Sequence, residues 1–216
     1  MPKITVKGKL KRGYGNGTGV DYKSWIKDSE FNSKGTTAVV KDWKTGRTVH
    51  LLSQGEVFWY YLLRWNDDNI DIQEQYPLKS ELYLEAARKL GLSLNNTSNK
   101  VHTTDFLVTK IDGRKIAYSV KASRKLSNST IRSLCIEKAY WMLHGIDFSV
   151  LFKTDVKSFV PNNIRLAVQY YNASAVTDVY TGLLHKIARK EISFDMFSES
   201  ITKNVLDRVL KGGCND

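Results

Sequence analysis

The chain has 216 residues, of which 42% are apolar and three are proline; this balance excludes a disordered polypeptide and suffices for one substantial core with at most a small appendage. Thirty-three basic against twenty-two acidic residues give a formal net charge of +11 and a pI near 9.5, which favours a polyanionic partner over a basic protein with no nucleic-acid role. No apolar run is long enough to span a membrane, and Met1–Lys7 lacks the apolar core of a signal peptide, so a cytoplasmic location is expected.

Residues 1–35 read as an irregular basic segment, with Lys3, Lys7, Lys9, Lys11 and Arg12 leading into the glycine run 13–19. That run lacks the Gly-Lys-Ser/Thr ending of a P-loop. A flexible segment lying along a DNA backbone is the expectation there. Residues 36–40 and 47–51 resemble two short strands joined by a turn at 42–46. Ser53 to Arg64 reads as a helix too apolar all round to lie on the surface. Ile70 to Tyr76 is an expected strand stopping before Pro77. Ser80 to Leu90 follows as a helix capped by Gly91, then a polar, mobile loop over 92–100.

The most informative stretch is a hairpin. Asp112-Gly113 lies between two β-rich runs, 103–108 and 116–121, a strong hairpin signal. Alternation puts Phe106, Val108, Tyr118 and Val120 on one apolar face, with Asp105, Ser119 and Lys121 together on the other. A register pairing Phe106 with Val120 and Asp105 with Lys121 satisfies both faces and implies a three-residue or bulged loop. A carboxylate and an ammonium side by side at a core's edge suit metal-dependent phosphodiester cleavage. Beyond the hairpin, a helix is expected from about Thr130 to His144 and a strand from Phe148 to Lys153. A boundary is expected at Pro161-Asn162-Asn163, followed by amphipathic helices over 176–190 and 199–211. The resulting division is an irregular segment (1–35), a core (36–160) of α/β (α+β) class with a mixed sheet flanked by helices, and a small helical C-terminal region (161–216).

Glu56 admits two readings. Ser53-Gln54-Gly55-Glu56 matches a capping box; alternatively, the first turn of that helix sends Glu56 toward a cation near Asp105. Glu137 either supports the site from behind or makes a surface ion pair. Four histidines form no i, i+4 pair, and Cys135 and Cys214 fit no ligand spacing, so zinc is not expected and both thiols should be reduced. No serine sits in a Gly-x-Ser-x-Gly elbow.

Glu56, then Asp105, then a residue-x-Lys121 pattern resembles the restriction-endonuclease-like nuclease core. The flanking segments 13–25, 49–53, 70–78, 104–108 and 136–141 sharpen the resemblance to the TnsA family, the endonuclease subunits of heteromeric cut-and-paste transposases. The resemblance implies that Glu56 and Asp105 are carboxylate metal ligands, with the Val120 carbonyl as a further ligand, and that Lys121 is the catalytic lysine. It implies Mg²⁺, with Mn²⁺ able to substitute, and cutting of the 5′ non-transferred strands at transposon ends. The implied partners are DNA, a TnsB-like transposase and a TnsC-like ATPase, in a bacterial cytoplasm at the nucleoid. The family's lysine is typically preceded two positions earlier by glutamine or glutamate. Ser119 stands there, and its short neutral side chain would reach a metal only through water, which leaves the number of ions open. A stand-alone nuclease of the same superfamily, or a DNA-binding scaffold that has lost activity, are the rival readings.

Overall fold

The computed structural model describes residues 4–30, 37–92, 94 and 101–212. Cys214, most of the expected loop at 92–100 and the expected strand start at residue 36 lie outside them. A four-stranded mixed sheet organises the molecule. Strands β3 (Asn69–Pro77), β4 (Thr103–Lys110) and β5 (Lys115–Lys121) are antiparallel neighbours, and β6 (Asp147–Phe152) adds parallel to β5. A separate hairpin pairs β1 (Ala38–Lys41) with β2 (Thr48–Leu51).

Helices cover both faces of the mixed sheet. One face carries Ile72, Phe106, Val108 and Val120, buried with Tyr60 and Tyr61 of α2 (Gln54–Trp65). The same cluster takes in Val160 and Ile164 of α5 (Phe159–Val168), Leu183, Leu184 and Ile187 of α6 (Val179–Ala188), and Leu206 of α7 (Lys203–Gly212). The other face carries Leu107 and Ala117 under Tyr83, Ala86 and Ala87 of α3 (Ser80–Lys89) and Ile136, Tyr140 and Trp141 of α4 (Asn128–Leu143). This is a mixed α/β architecture consistent with a restriction-endonuclease-like fold. Among the described residues no helix is long and apolar enough to cross a membrane.

Several expectations are corrected. Pro161 does not separate elements: it lies in the first turn of α5, where a helix has no use for a backbone N–H. Pro77 does not stop β3 either. It pairs with Thr103 on an edge strand, where a missing donor is tolerated. The N-terminal segment is not irregular throughout, because α1 (Val6–Lys11) forms there with Thr5 Oγ1 accepting from the Gly8 N–H at 3.2 Å. Nor does the glycine run hang free. Gln73 donates to the Gly17 carbonyl at 2.8 Å, the Gly19 N–H donates to Asp71 at 3.2 Å, and Tyr22 Oη donates to the Glu74 carbonyl at 2.9 Å. At Gly15, with φ at 76°, a Cβ would stand 2.3 Å from Pro77 Cγ. Glycine there permits close approach, and the run is a strap fastened along β3.

The β4–β5 register also differs from expectation. Phe106 pairs with Tyr118, and Leu107 with Ala117, a slip of two residues. Because side chains alternate with period two, this slip leaves every residue on its expected face. Lys110 N–H donates to the Arg114 carbonyl at 2.8 Å, which leaves a three-residue loop of Ile111, Asp112 and Gly113.

Candidate active site

Asp105 sits near the start of β4 and Lys121 at the end of β5, so the antiparallel pairing brings both to one end of the sheet. Ser53 caps α2, its Oγ accepting from the Glu56 N–H at 3.1 Å. The helix start presses on β5: a Cβ at Gly55 would meet Val120 Cγ1 at 3.0 Å and the Lys153 Cβ at 3.4 Å. Glycine therefore admits the strand's own side chain, and this contact delivers Glu56 to the same end of the sheet. Glu56, Asp105, Val120 and Lys121 line one concavity of about 620 Å³, with Gln75, His102 and Lys153.

The Ser53 cap forms, but Glu56 closes no capping box on the Ser53 N–H, and its carboxylate lies at the cavity instead. Its Oε1 accepts from Ser53 Oγ at 2.8 Å, and its Oε2 accepts from the Leu52 N–H at 2.8 Å and from Gln75 Nε2 at 3.0 Å. The carboxylate thus reaches back one residue beyond the cap while facing the cavity. Burial, and then the charge of Asp105, push its pKa up to about 8, against the pull of those hydrogen bonds.

Asp105 Oδ2 accepts from the Val120 N–H at 2.5 Å and from Ser119 Oγ at 3.3 Å, and lies 3.7 Å from Lys121 Nζ. The lysine donates to Ser119 Oγ at 2.8 Å and to the Val120 carbonyl at 2.9 Å. An ammonium has three N–H donors, so these two bonds hold Lys121 in place and leave one free to act. Ser119 therefore bridges the aspartate and the lysine.

Glu137 is not a surface ion pair. It is 8% exposed on α4, where it accepts from Thr104 Oγ1, which itself accepts from Trp141 Nε1 at 3.0 Å. Burial and then Asp105 raise its pKa to about 8, while Thr104, Lys121 and Ser119 act in the opposite sense. A second carboxyl thus stands behind Ser119, close enough to feel both Asp105 and Lys121.

Gln75 carries no sequence signal of its importance. Its backbone adopts φ 50° in the middle of β3, and the ladder skips it: Glu74 pairs with Phe106 and Tyr76 with Thr104, leaving Asp105 without a partner in β3. Its side chain accepts from Thr103 Oγ1 at 3.2 Å while donating to Glu56. Left-handed backbone at a non-glycine residue is costly and gathers at functional sites. His102, stacked on Tyr83 with ring centroids 4.1 Å apart, forms part of the cavity wall.

The donor set suits a hard divalent cation. Two carboxylates and a backbone carbonyl are oxygen ligands of the kind Mg²⁺ accepts, with water completing its shell. Burial and then the charge of Asp105 raise Glu56, and a bound cation would offset both. Among the described residues no three His, Cys, Asp or Glu side chains gather as a metal cluster.

Residues 66–153 match the family model described as TnsA-like endonuclease N terminal. Over that stretch the chain is similar to the family. The matched stretch contains Asp105, Val120, Lys121, Ser119 and Glu137 and begins after Glu56. The Transposon Tn7 transposition protein TnsA of Escherichia coli is 30% identical over 167 residues, which cover 75% of this chain and 61% of that relative. The chain thus spans about three-fifths of the length of the curated relative it matches, and its TnsA-like core carries the cavity.

Proposed function

We propose that this chain is a Mg²⁺-dependent DNA endonuclease, the TnsA-like subunit of a heteromeric transposase, which cuts the 5′ non-transferred strands at transposon ends. The observation that carries the reading is the convergence of Glu56, Asp105 and Lys121 on one cavity inside a TnsA-like core. Its net charge of +11 suits a polyphosphate substrate. DNA, a TnsB-like transposase acting on the 3′ ends and a TnsC-like ATPase are its proposed partners.

Glu56 and Asp105 hold the cation, with the Val120 carbonyl as a further ligand. Mg²⁺, or Mn²⁺ in its place, supplies Lewis-acid polarisation of the scissile phosphate and of a water. Asp105 is kept in position by the Val120 N–H and Ser119. Gln75, Leu52 and Ser53 fix the Glu56 carboxylate from three directions. Lys121 points its unused N–H into the cavity, where it can orient the attacking water or stabilise charge developing on phosphorus. Ser119 and Glu137 are positioning residues that act through Lys121 and Asp105.

The test is reconstitution of the chain with its transposase and ATPase partners on a plasmid bearing transposon ends, scored for 5′-strand nicks. Asp105→Ala should abolish nicking while complex assembly persists; undiminished nicking overturns the assignment. Equal cutting by the isolated chain, with no partner added, would favour a free-standing nuclease.

A further inference from the structure

Beside the candidate active site lies a second concavity of about 420 Å³, lined by Arg12, Tyr14, Lys23, Lys27, Arg47 and His50 among others, and none of its lining residues is acidic. Arg47 is its floor. Its guanidinium is spent on Glu74, with bonds of 2.9 and 2.7 Å, and on the Ile72 carbonyl at 2.9 Å. His50 is likewise engaged, its Nδ1 lying 2.8 Å from Asp28 Oδ1. The rim is different. Arg12, Lys23 and Lys27 are exposed; Lys23 Nζ reaches only the Arg12 carbonyl at 3.3 Å, and Lys27 Nζ stands 5.3 Å from the Tyr14 ring centre. Among the described residues none of the three bonds a carboxylate.

These cations are not on a loose arm. They belong to the strap that Gln73, Asp71, Glu74 and the close approach at Gly15 fasten to β3. The two concavities share their walls: Ser24 and His50 line one, and Ile26 and Leu52, two residues further along the same segments, line the other. Two residues of extended chain span about 7 Å. An extended polyanion with its cleavable phosphate over Asp105 would place a neighbouring stretch on the rim. We propose that the strap pocket is a subsite for the DNA strand flanking the cut, with Arg12, Lys23 and Lys27 contacting backbone phosphates. The inference rests on the nuclease reading and deepens it: it gives the substrate a path across the surface, and because phosphates alone are contacted, it adds affinity without sequence preference.

The test compares duplex binding by the full chain, with Ca²⁺ in place of Mg²⁺, across a salt series. One variant combines Arg12→Ala, Lys23→Ala and Lys27→Ala; a control of equal charge change combines Lys186→Ala, Lys203→Ala and Lys211→Ala on α6 and α7. Each phosphate contact contributes about 0.9 to the slope of log affinity against log salt. The strap variant should therefore flatten that slope by roughly two to three units and weaken binding at least about tenfold, with the control close to wild type. Equal losses in both variants, or an unchanged slope in the strap variant, overturn the subsite while leaving the nuclease reading standing. Absence of duplex binding by the wild-type chain overturns the subsite, while the nuclease reading stands or falls on the reconstituted nicking assay. If the strap variant keeps its DNA affinity and instead loses a protein partner, the surface belongs to that partner and the proposal fails.

Discussion

Gln75 donates from its side-chain amide to Glu56 Oε2 at 3.0 Å while its own backbone holds φ at 50°. A strand residue is thus twisted out of its ladder opposite Asp105, and its amide is directed at the carboxylate proposed to share a cation with that aspartate. Local strain is tolerated where surrounding structure over-determines it. Here Thr103 on one side and Glu56 on the other do so.

Gln75→Ala should weaken Mn²⁺ binding about 10- to 100-fold, the usual cost of removing a group that orients a ligand. Titration calorimetry measures this directly. Gln75→Gly should lose the same affinity yet melt above Gln75→Ala, because glycine adopts positive φ without steric cost. Metal binding equal to wild type in both variants would show that the amide is ornamental.

Lys121→Ala should lower the nicking rate about 100-fold or more, within the range for loss of a positioned proton donor or acceptor. Cation binding should persist, since the carboxylates remain. A rate within a few-fold of wild type would make Lys121 a surface charge, whatever its distance from Asp105.

Glu56 and Glu137 both have folded-state pKa values of about 8, well above the ordinary glutamate value. A raised carboxyl binds its proton more tightly folded than unfolded, so its contribution to stability is complete at acid pH. That contribution is lost as pH climbs from the ordinary glutamate range through about 8. In EDTA the melting temperature should therefore fall on moving from weakly acidic to alkaline buffer. Glu137→Gln, which keeps the shape of the protonated acid, should fall less steeply. A variant slope matching the wild type would contradict the burial argument.

Asp42 should be the most costly carboxylate to remove for stability. It accepts from Tyr60 Oη at 2.5 Å, from Arg64 Nη2 at 3.1 Å and from the Thr45 N–H at 2.8 Å. Burial alone would raise its pKa, but Tyr60, Arg64 and Thr45 together hold it below the usual carboxylate value. Asp42→Ala strands a guanidinium that is 3% exposed, and leaving a buried charge unpaired costs about 3–5 kcal/mol. Thermal unfolding should show a drop on the order of 10 °C; a drop of only a degree or two would mean water has replaced the carboxylate.

Much of this protein was written in its local patterns. Alternation alone assigned Phe106, Val108 and Val120 to the core and Asp105, Ser119 and Lys121 to the opposite face, because a strand's side chains have no other choice. The Ser53 cap and the Gly91 helix end were equally legible, being decided by a few neighbouring residues. What local pattern could not decide was anything degenerate under its own periodicity or set by distant contacts. The β4–β5 register slipped by two because both registers keep the alternation. The strap looked loose because glycine's close approach to Pro77 is invisible until the two segments meet. Gln75 read as an ordinary strand residue, since a left-handed backbone is imposed by Glu56 and Thr103 from other elements. Sequence determined which groups are available at the sheet's end; only the packing of α2 onto β5 decided that Glu56 joins them, because a cavity is a property of surfaces brought together and not of any one segment.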